Sequence, residues 1–197
     1  MSADVSTTAQ LVRQLLAANG KALLTVESDS MEPLLLVNER IQIETITVAQ
    51  LELGDIVTVV ASDALYTHRY FGCLTKHDAR FLVTRGDQPL AYDPAWSEKQ
   101  LLGRVTLCKK RETALDLRQG VGRRLNQHLT AIAGFENWLY DGRSPTLKRL
   151  EQFETRLLGR NWRDNAIQHL LLRAIRGFLL RWSRVMVFLA VKIANNE

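Results

Sequence analysis

The hydrophobic period of this chain changes once, near residue 120, and that change limits what it can fold into. Before it, apolar residues fall in short period-two runs punctuated by Gly, Asp and Asn, the pattern of strands and tight turns. One helical stretch, Gln10 to Leu16, comes first and stops at Asn19-Gly20. Strands are expected at Lys21 to Glu27, Arg40 to Glu44, Ile56 to Val60, Leu65 to Phe71, Arg80 to Thr84 and Gly103 to Lys109. The last turns into a partner at Ala114 to Leu117, and Thr75-Lys76-His77-Asp78 reads as a hairpin tip. After Gly122 the period is 3.6, with helices expected at Arg123 to Tyr140, Thr146 to Leu158 and Asp164 to Ala194. The expected fold class is α+β: a small, strongly bent, barrel-like β-domain over residues 1–120, then an α-helical region over 121–197.

The charge divides at nearly the same place. Residues 1–103 carry 8 Lys and Arg against 13 Asp and Glu, whereas residues 104–197 carry 18 against 8. Net charges of −5 and +10 imply different partners for the two parts. In the last helix Leu171, Ile175, Phe178, Trp182, Met186, Leu189 and Ile193 are spaced to share a face, with Arg173, Arg176, Arg181 and Arg184 expected opposite. Such a helix packs within the protein, pairs with a second copy in a homo-oligomer, or lies on an anionic membrane surface through residues 165–194. Nucleic acid is disfavoured, because no helix-turn-helix is legible.

No stretch reaches the roughly 18 consecutive apolar residues of a spanning helix. Met1 to Thr8 is polar, with neither a basic leader nor an apolar core, so no secretory signal is expected and the location reads as cytoplasmic, with a peripheral membrane association left open. Cys73 and Cys108 lie apart without metal-ligand spacing; two buried thiols in a reducing compartment are expected, with no metal and no cofactor.

Two short stretches carry chemistry. Ser28-Asp29-Ser30-Met31-Glu32-Pro33 puts a serine on a turn, since Asp29 and Pro33 both favour irregular backbone. Leu65-Tyr66-Thr67-His68-Arg69-Tyr70 puts a histidine on a strand face with Tyr66 and Tyr70. A serine hydroxyl is a poor nucleophile until a base takes its proton, and its tetrahedral intermediate needs aimed donors. Each piece alone has a plainer reading. Asp29 or Ser30 would cap a short helical turn, His68 would be a satisfied strand histidine, and Gly54-Asp55 and Gly86-Asp87 would be turns.

The ordered set is more specific than its parts. Ser30-Met31-Glu32-Pro33, then Gly54-Asp55-Ile56-Val57, His68-Arg69, Thr84-Arg85-Gly86-Asp87 with Asp93 six residues on, and Gly103-Arg104-Val105 resemble the catalytic domain of type I signal peptidases over about residues 20 to 108. The form it is most similar to is the endoplasmic-reticulum and archaeal one, with histidine where the common bacterial form has lysine. The resemblance implies Ser30 as nucleophile, His68 as general base and Asp93 as the orienting carboxylate, with Asp87 the weaker candidate for that role. It implies Ser28 as an oxyanion-hole hydroxyl beside the Ser30 N–H, and Met31 as a wall of the substrate pocket. The substrate would be a peptide or protein precursor with small residues near the scissile bond.

The chain departs from the family at Asp29, where glycine is usual, and no N-terminal membrane anchor is expected from Met1 to Thr8; anchorless relatives with a basic helical tail fit better. The alternative is a peptidase-like module without catalysis, binding a peptide or scaffolding, docked by its basic helices to a membrane or partner.

Overall fold

The computed structural model describes residues 5–61, 64–110, 113–140 and 166–195. Helix α1 (Val5–Asn19) ends at Gly20, whose φ of 70° closes the helix and turns the chain into β1 (Lys21–Thr25). Seven more strands follow: β2 (Arg40–Glu44), β3 (Ile56–Ala61), β4 (Ala64–Lys76), β5 (Ala79–Arg85), β6 (Trp96–Ser97), β7 (Leu101–Lys110) and β8 (Thr113–Asp116). Helices α2 (Gly120–Tyr140) and α3 (Ala166–Ala194) complete the described chain. The expected helix at Thr146 to Leu158 lies outside the described residues.

All eight strands pair antiparallel in one open sheet, in the order β1-β2-β7-β3-β4-β5-β6, with β8 on β7. Long β7 holds β3 along its first half and β8 along its second, with β2 on the other edge. Register shifts at Gln42/Ile43, Thr58/Val59 and Tyr70/Gly72 bend the ladder. The hairpin tip falls at His77 and Asp78, whose φ values of 50° and 60° give the left-handed turn that matches strand twist.

Strand β3 explains why its sequence is β-branched throughout: both of its faces are covered. Ile56 joins the main core with Ile41, Val105 and Leu115, and Val57 and Val59 join a second cluster with Tyr70, Leu82 and Trp96. The main core also takes Val12 and Leu16 of α1, Leu125 and Leu129 of α2, and Val187 and Ala190 of α3. The helices after residue 120 therefore share a core with the sheet.

Helix α3 turns Leu172, Ser183, Val187 and Ala190 inward, while Leu171, Phe178, Trp182, Leu189 and Ile193 of the shared apolar face are exposed, so that face does not pack within the described residues. The helix is apolar enough for two faces, and the inward one carries the small residues that let it approach the sheet. The Ser183 hydroxyl is satisfied by donating to Leu179 O at 2.9 Å. Arg176 stands on the inward side, away from that exposed face, and reaches Gln88 O. Of the two cysteines read as buried, only Cys108 is; Cys73 is exposed, and both are free thiols.

Candidate active site

Strand alternation sends His68 and Arg69 to opposite faces of β4, and each organises a cluster. On the His68 side, Ser30 Oγ lies 3.0 Å from Nε2, and Asp93 Oδ2 lies 2.6 Å from Nδ1. With a carboxylate at Nδ1, the ring donates there and leaves Nε2 as acceptor for the serine proton. The sequence places Ser30 and His68 38 residues apart and Asp93 25 beyond His68, and the fold brings all three into one hydrogen-bonded line.

Ser30 stands on a turn in which Glu32 N–H donates to Asp29 O at 2.9 Å and Leu35 N–H to Met31 O at 3.0 Å. Beneath it Met31, Leu34 and Leu35 plug into the main core. Met31, expected as a pocket wall, is only 2% exposed and lies under the turn, anchoring it. Asp29 is exposed and keeps an ordinary backbone, the non-glycine residues of positive φ being Asn38, His77 and Asp78. A glycine is not required there. Ser28 Oγ sits 3.2 Å from Ser30 Oγ, within hydrogen-bond reach.

Two residues that sequence reasoning missed fix the carboxylate. Thr84 Oγ1 donates to Asp93 Oδ2 at 2.6 Å, and Trp96 Nε1–H donates to Thr84 Oγ1 at 2.7 Å. The Asp93 N–H also donates to Thr84 O at 2.9 Å, so side chain and backbone are held by one residue. Tyr66 stacks on Trp96 with ring centroids 5.4 Å apart. Thr84 stood within the Thr84-Arg85-Gly86-Asp87 motif, but nothing local to it tells that its hydroxyl faces a carboxylate nine residues on.

The other face is organised by Arg69, whose side chain is 0% exposed. Its guanidinium makes a two-point pair with Asp87, Nε to Oδ1 at 2.8 Å and Nη2 to Oδ2 at 2.7 Å. Nη1 donates to Gly54 O at 3.0 Å, Asn126 Oδ1 at 2.6 Å and Thr130 Oγ1 at 3.0 Å. Both Gly-Asp turns thus converge on one arginine, and Asp87 is occupied by Arg69 rather than by His68. Gly54 has φ 90° and Thr130 pressed against it, so a side chain there would meet the α2 hydroxyl. A Cβ at Gly86 would lie 2.8 Å from Ser30 O and 2.7 Å from Pro89 Cδ, so the absence of a side chain lets this loop close on the serine turn.

The helices reach the same loop. Arg85, buried in β5, donates to Asn137 Oδ1 at 2.6 Å and to Glu136 Oε2 at 3.2 Å on α2. Burial pushes the Glu136 carboxyl above the usual range, against the pull of the Arg85 and Arg176 guanidiniums. Arg176 of α3 donates to Gln88 O, and Gln88 N–H donates to Ser30 O at 2.8 Å. Arg104 of β7 completes the frame, pairing with Asp55 and with Glu44 at 3.2 Å each. No grouping of His, Cys, Asp and Glu among the described residues has the makings of a metal site.

Comparisons with known proteins return no match: no protein-family model, no curated protein and no solved structure corresponds to this chain.

Proposed function

We propose that this chain is a serine endopeptidase of the signal-peptidase kind, with the bent sheet as a partial barrel that presents Ser30, His68 and Asp93. The observation that carries the reading is the continuous line from Ser30 Oγ to His68 Nε2 at 3.0 Å and from His68 Nδ1 to Asp93 Oδ2 at 2.6 Å. Parts separated by tens of residues meet at the distances, and in the order, that proton transfer from a nucleophile requires.

Ser30 Oγ attacks the peptide carbonyl carbon as its proton passes to His68 Nε2. The Ser28 hydroxyl and the Ser30 N–H receive the oxyanion. Collapse breaks the C–N bond, and His68 returns the proton to the leaving amine. Water then repeats the sequence on the acyl-enzyme, giving its proton to His68 and releasing the acid with Ser30 restored. Asp93 holds the ring in one tautomer and favours the imidazolium formed in each half. The substrate class is a peptide or protein precursor with small residues near the scissile bond, bound in extended form, and the place of action is the cytoplasmic side.

The test is cleavage of an extended peptide library with small residues flanking the central bond, read by mass spectrometry. Ser30→Ala and His68→Ala each abolish product while their melting curves stay near wild type. Undiminished turnover by Ser30→Ala would sink the reading, and a wild-type chain that binds peptides without cutting any would leave a binding module in its place.

A further inference from the structure

Helix α3 is apolar on two sides, and among the described residues only one of them is packed against the rest of the protein. Leu172, Val187 and Ala190 face inward, while Phe178, Val185 and Phe188 on the outer side are 66%, 49% and 67% exposed. Trp182 and Leu189 border the same exposed strip. Leu139 packs on Leu172 and Trp182 Nε1–H donates to His128 Nε2 at 3.1 Å, so α2 and α3 run antiparallel side by side. Phe135, two turns along α2 from His128, is also exposed and stacks with Trp138 at 5.8 Å. Folded proteins seldom leave so extended an apolar strip to water without a function for it.

The charges say what covers it. Residues 166–194 hold five basic side chains and no acidic one. Arg181 and Lys192 rise within the apolar strip, and Arg173 and Arg184 run along its flank, all exposed. We infer that the outer face of α3, with the adjoining aromatic residues of α2, docks this protein on an anionic lipid interface. Phenyl and indole rings enter the acyl boundary to a depth of about 5–10 Å. Arginine and lysine stems lie along the apolar layer and carry their charges to the headgroups. A second copy set face to face would press like charges together, and a nucleic acid would leave the apolar strip wet. No described helix is long and apolar enough to cross the membrane, and in α3 the basic residues recur along its length, so it lies in the interface plane.

The docked orientation has a consequence at the serine. Arg184 Nη2 of α3 approaches Glu32 Oε2 at 3.9 Å, two residues past Ser30, and Arg176 holds the Gln88 carbonyl whose N–H holds Ser30. The Ser30 turn therefore stands within about one helix diameter, roughly 10–12 Å, of the lipid-facing side.

The experiment is sedimentation of the full chain with vesicles of phosphatidylcholine alone or of equal parts phosphatidylcholine and phosphatidylglycerol. Binding is expected to the mixed vesicles, at least tenfold weaker to the neutral ones, and falling as salt rises. Brominated lipid should quench Trp182 and the exposed Trp138 of α2, so Trp182→Phe should lose part of the quenching and Trp182→Phe with Trp138→Phe nearly all of it. Phe178→Ser with Phe188→Ser, at positions exposed in the fold, should weaken binding more than tenfold without lowering the melting temperature. Arg181→Gln and Lys192→Gln should each weaken it about fivefold. Ser30→Ala should bind as wild type, which separates this surface from the peptidase reading. Equal affinity for both vesicle types, no binding to either, an unaffected double phenylalanine variant, or a solution dimer that the same variant dissociates would each overturn it.

Discussion

Two aspartates six residues apart are expected to fail in opposite ways. Asp87→Asn removes the one carboxylate that pairs with Arg69 among the described residues, where the Arg69 side chain is 0% exposed, and leaves that cation with the neutral acceptors Gly54 O, Asn126 Oδ1 and Thr130 Oγ1. Breaking a fully desolvated ion pair by removing one partner costs about 3–5 kcal/mol, because the remaining charge is stranded. That is a large share of the roughly 5–15 kcal/mol by which a domain is stable. With a urea slope of about 2 kcal/mol per molar, the midpoint should fall by about 2 M. Asp93→Asn takes a carboxylate from a partly open site in which the His68 ring and the Thr84 hydroxyl tolerate an amide, so its midpoint should move little. Its turnover should instead fall by on the order of 10³ to 10⁴, the loss that follows when the orienting carboxylate of a serine triad becomes an amide. Urea titration followed by far-UV circular dichroism, with kcat measured well below each midpoint, gives both readouts. Arg69→Met with Asp87→Leu should regain part of the lost stability, because no cation is then stranded. An Asp87→Asn midpoint unchanged from wild type, or Asp93→Asn turnover within tenfold of it, would refute the division of labour argued here.

Three further outcomes follow from named contacts. Gly86→Ala should lower kcat by about a hundredfold with little change in KM, since a displacement near 1 Å at Ser30, the proposed nucleophile, is enough; turnover equal to wild type would show that the Ser30 carbonyl contact does not position the serine. Burial pushes the Cys108 thiol up to about 12, whereas Cys73 is exposed, so a thiol reagent near neutral pH should titrate one group in the native protein and two in denaturant. Glu136 has a folded pKa raised above its unfolded value, so its contribution to stability is complete below about 4.3 and is lost as pH rises through the folded value. Wild type should therefore lose stability relative to Glu136→Gln over that rise, and a difference that stays flat or grows the other way contradicts the assignment.

Strand and helix positions were legible because they rest on local period. The β-branched run at Ile56 to Val60, the Asn19-Gly20 stop and the His77-Asp78 tip each declare themselves within a few residues. The site was legible differently: Ser30, His68 and Asp93 became candidates through the order of several short motifs, each weak alone. Their meeting at hydrogen-bond distance belongs to the fold. So does the role of Asp87, because sequence spacing leaves both aspartates near the histidine, whereas strand alternation sends His68 and Arg69 to opposite faces and gives each its own carboxylate. Thr84, Trp96, Asn126 and Gln88 left no local signal, since a hydroxyl, an indole or an amide acquires its part only from a partner distant in sequence. The last helix marks the limit most clearly. Its period predicts a basic helix from Asp164 to Ala194, and the helix described runs from Ala166 to Ala194, but apolar residues line it on two sides. Which side faces the protein was decided by the shape of the sheet and of α2, where Ser183 and Ala190 allow close approach and Phe178 and Phe188 do not.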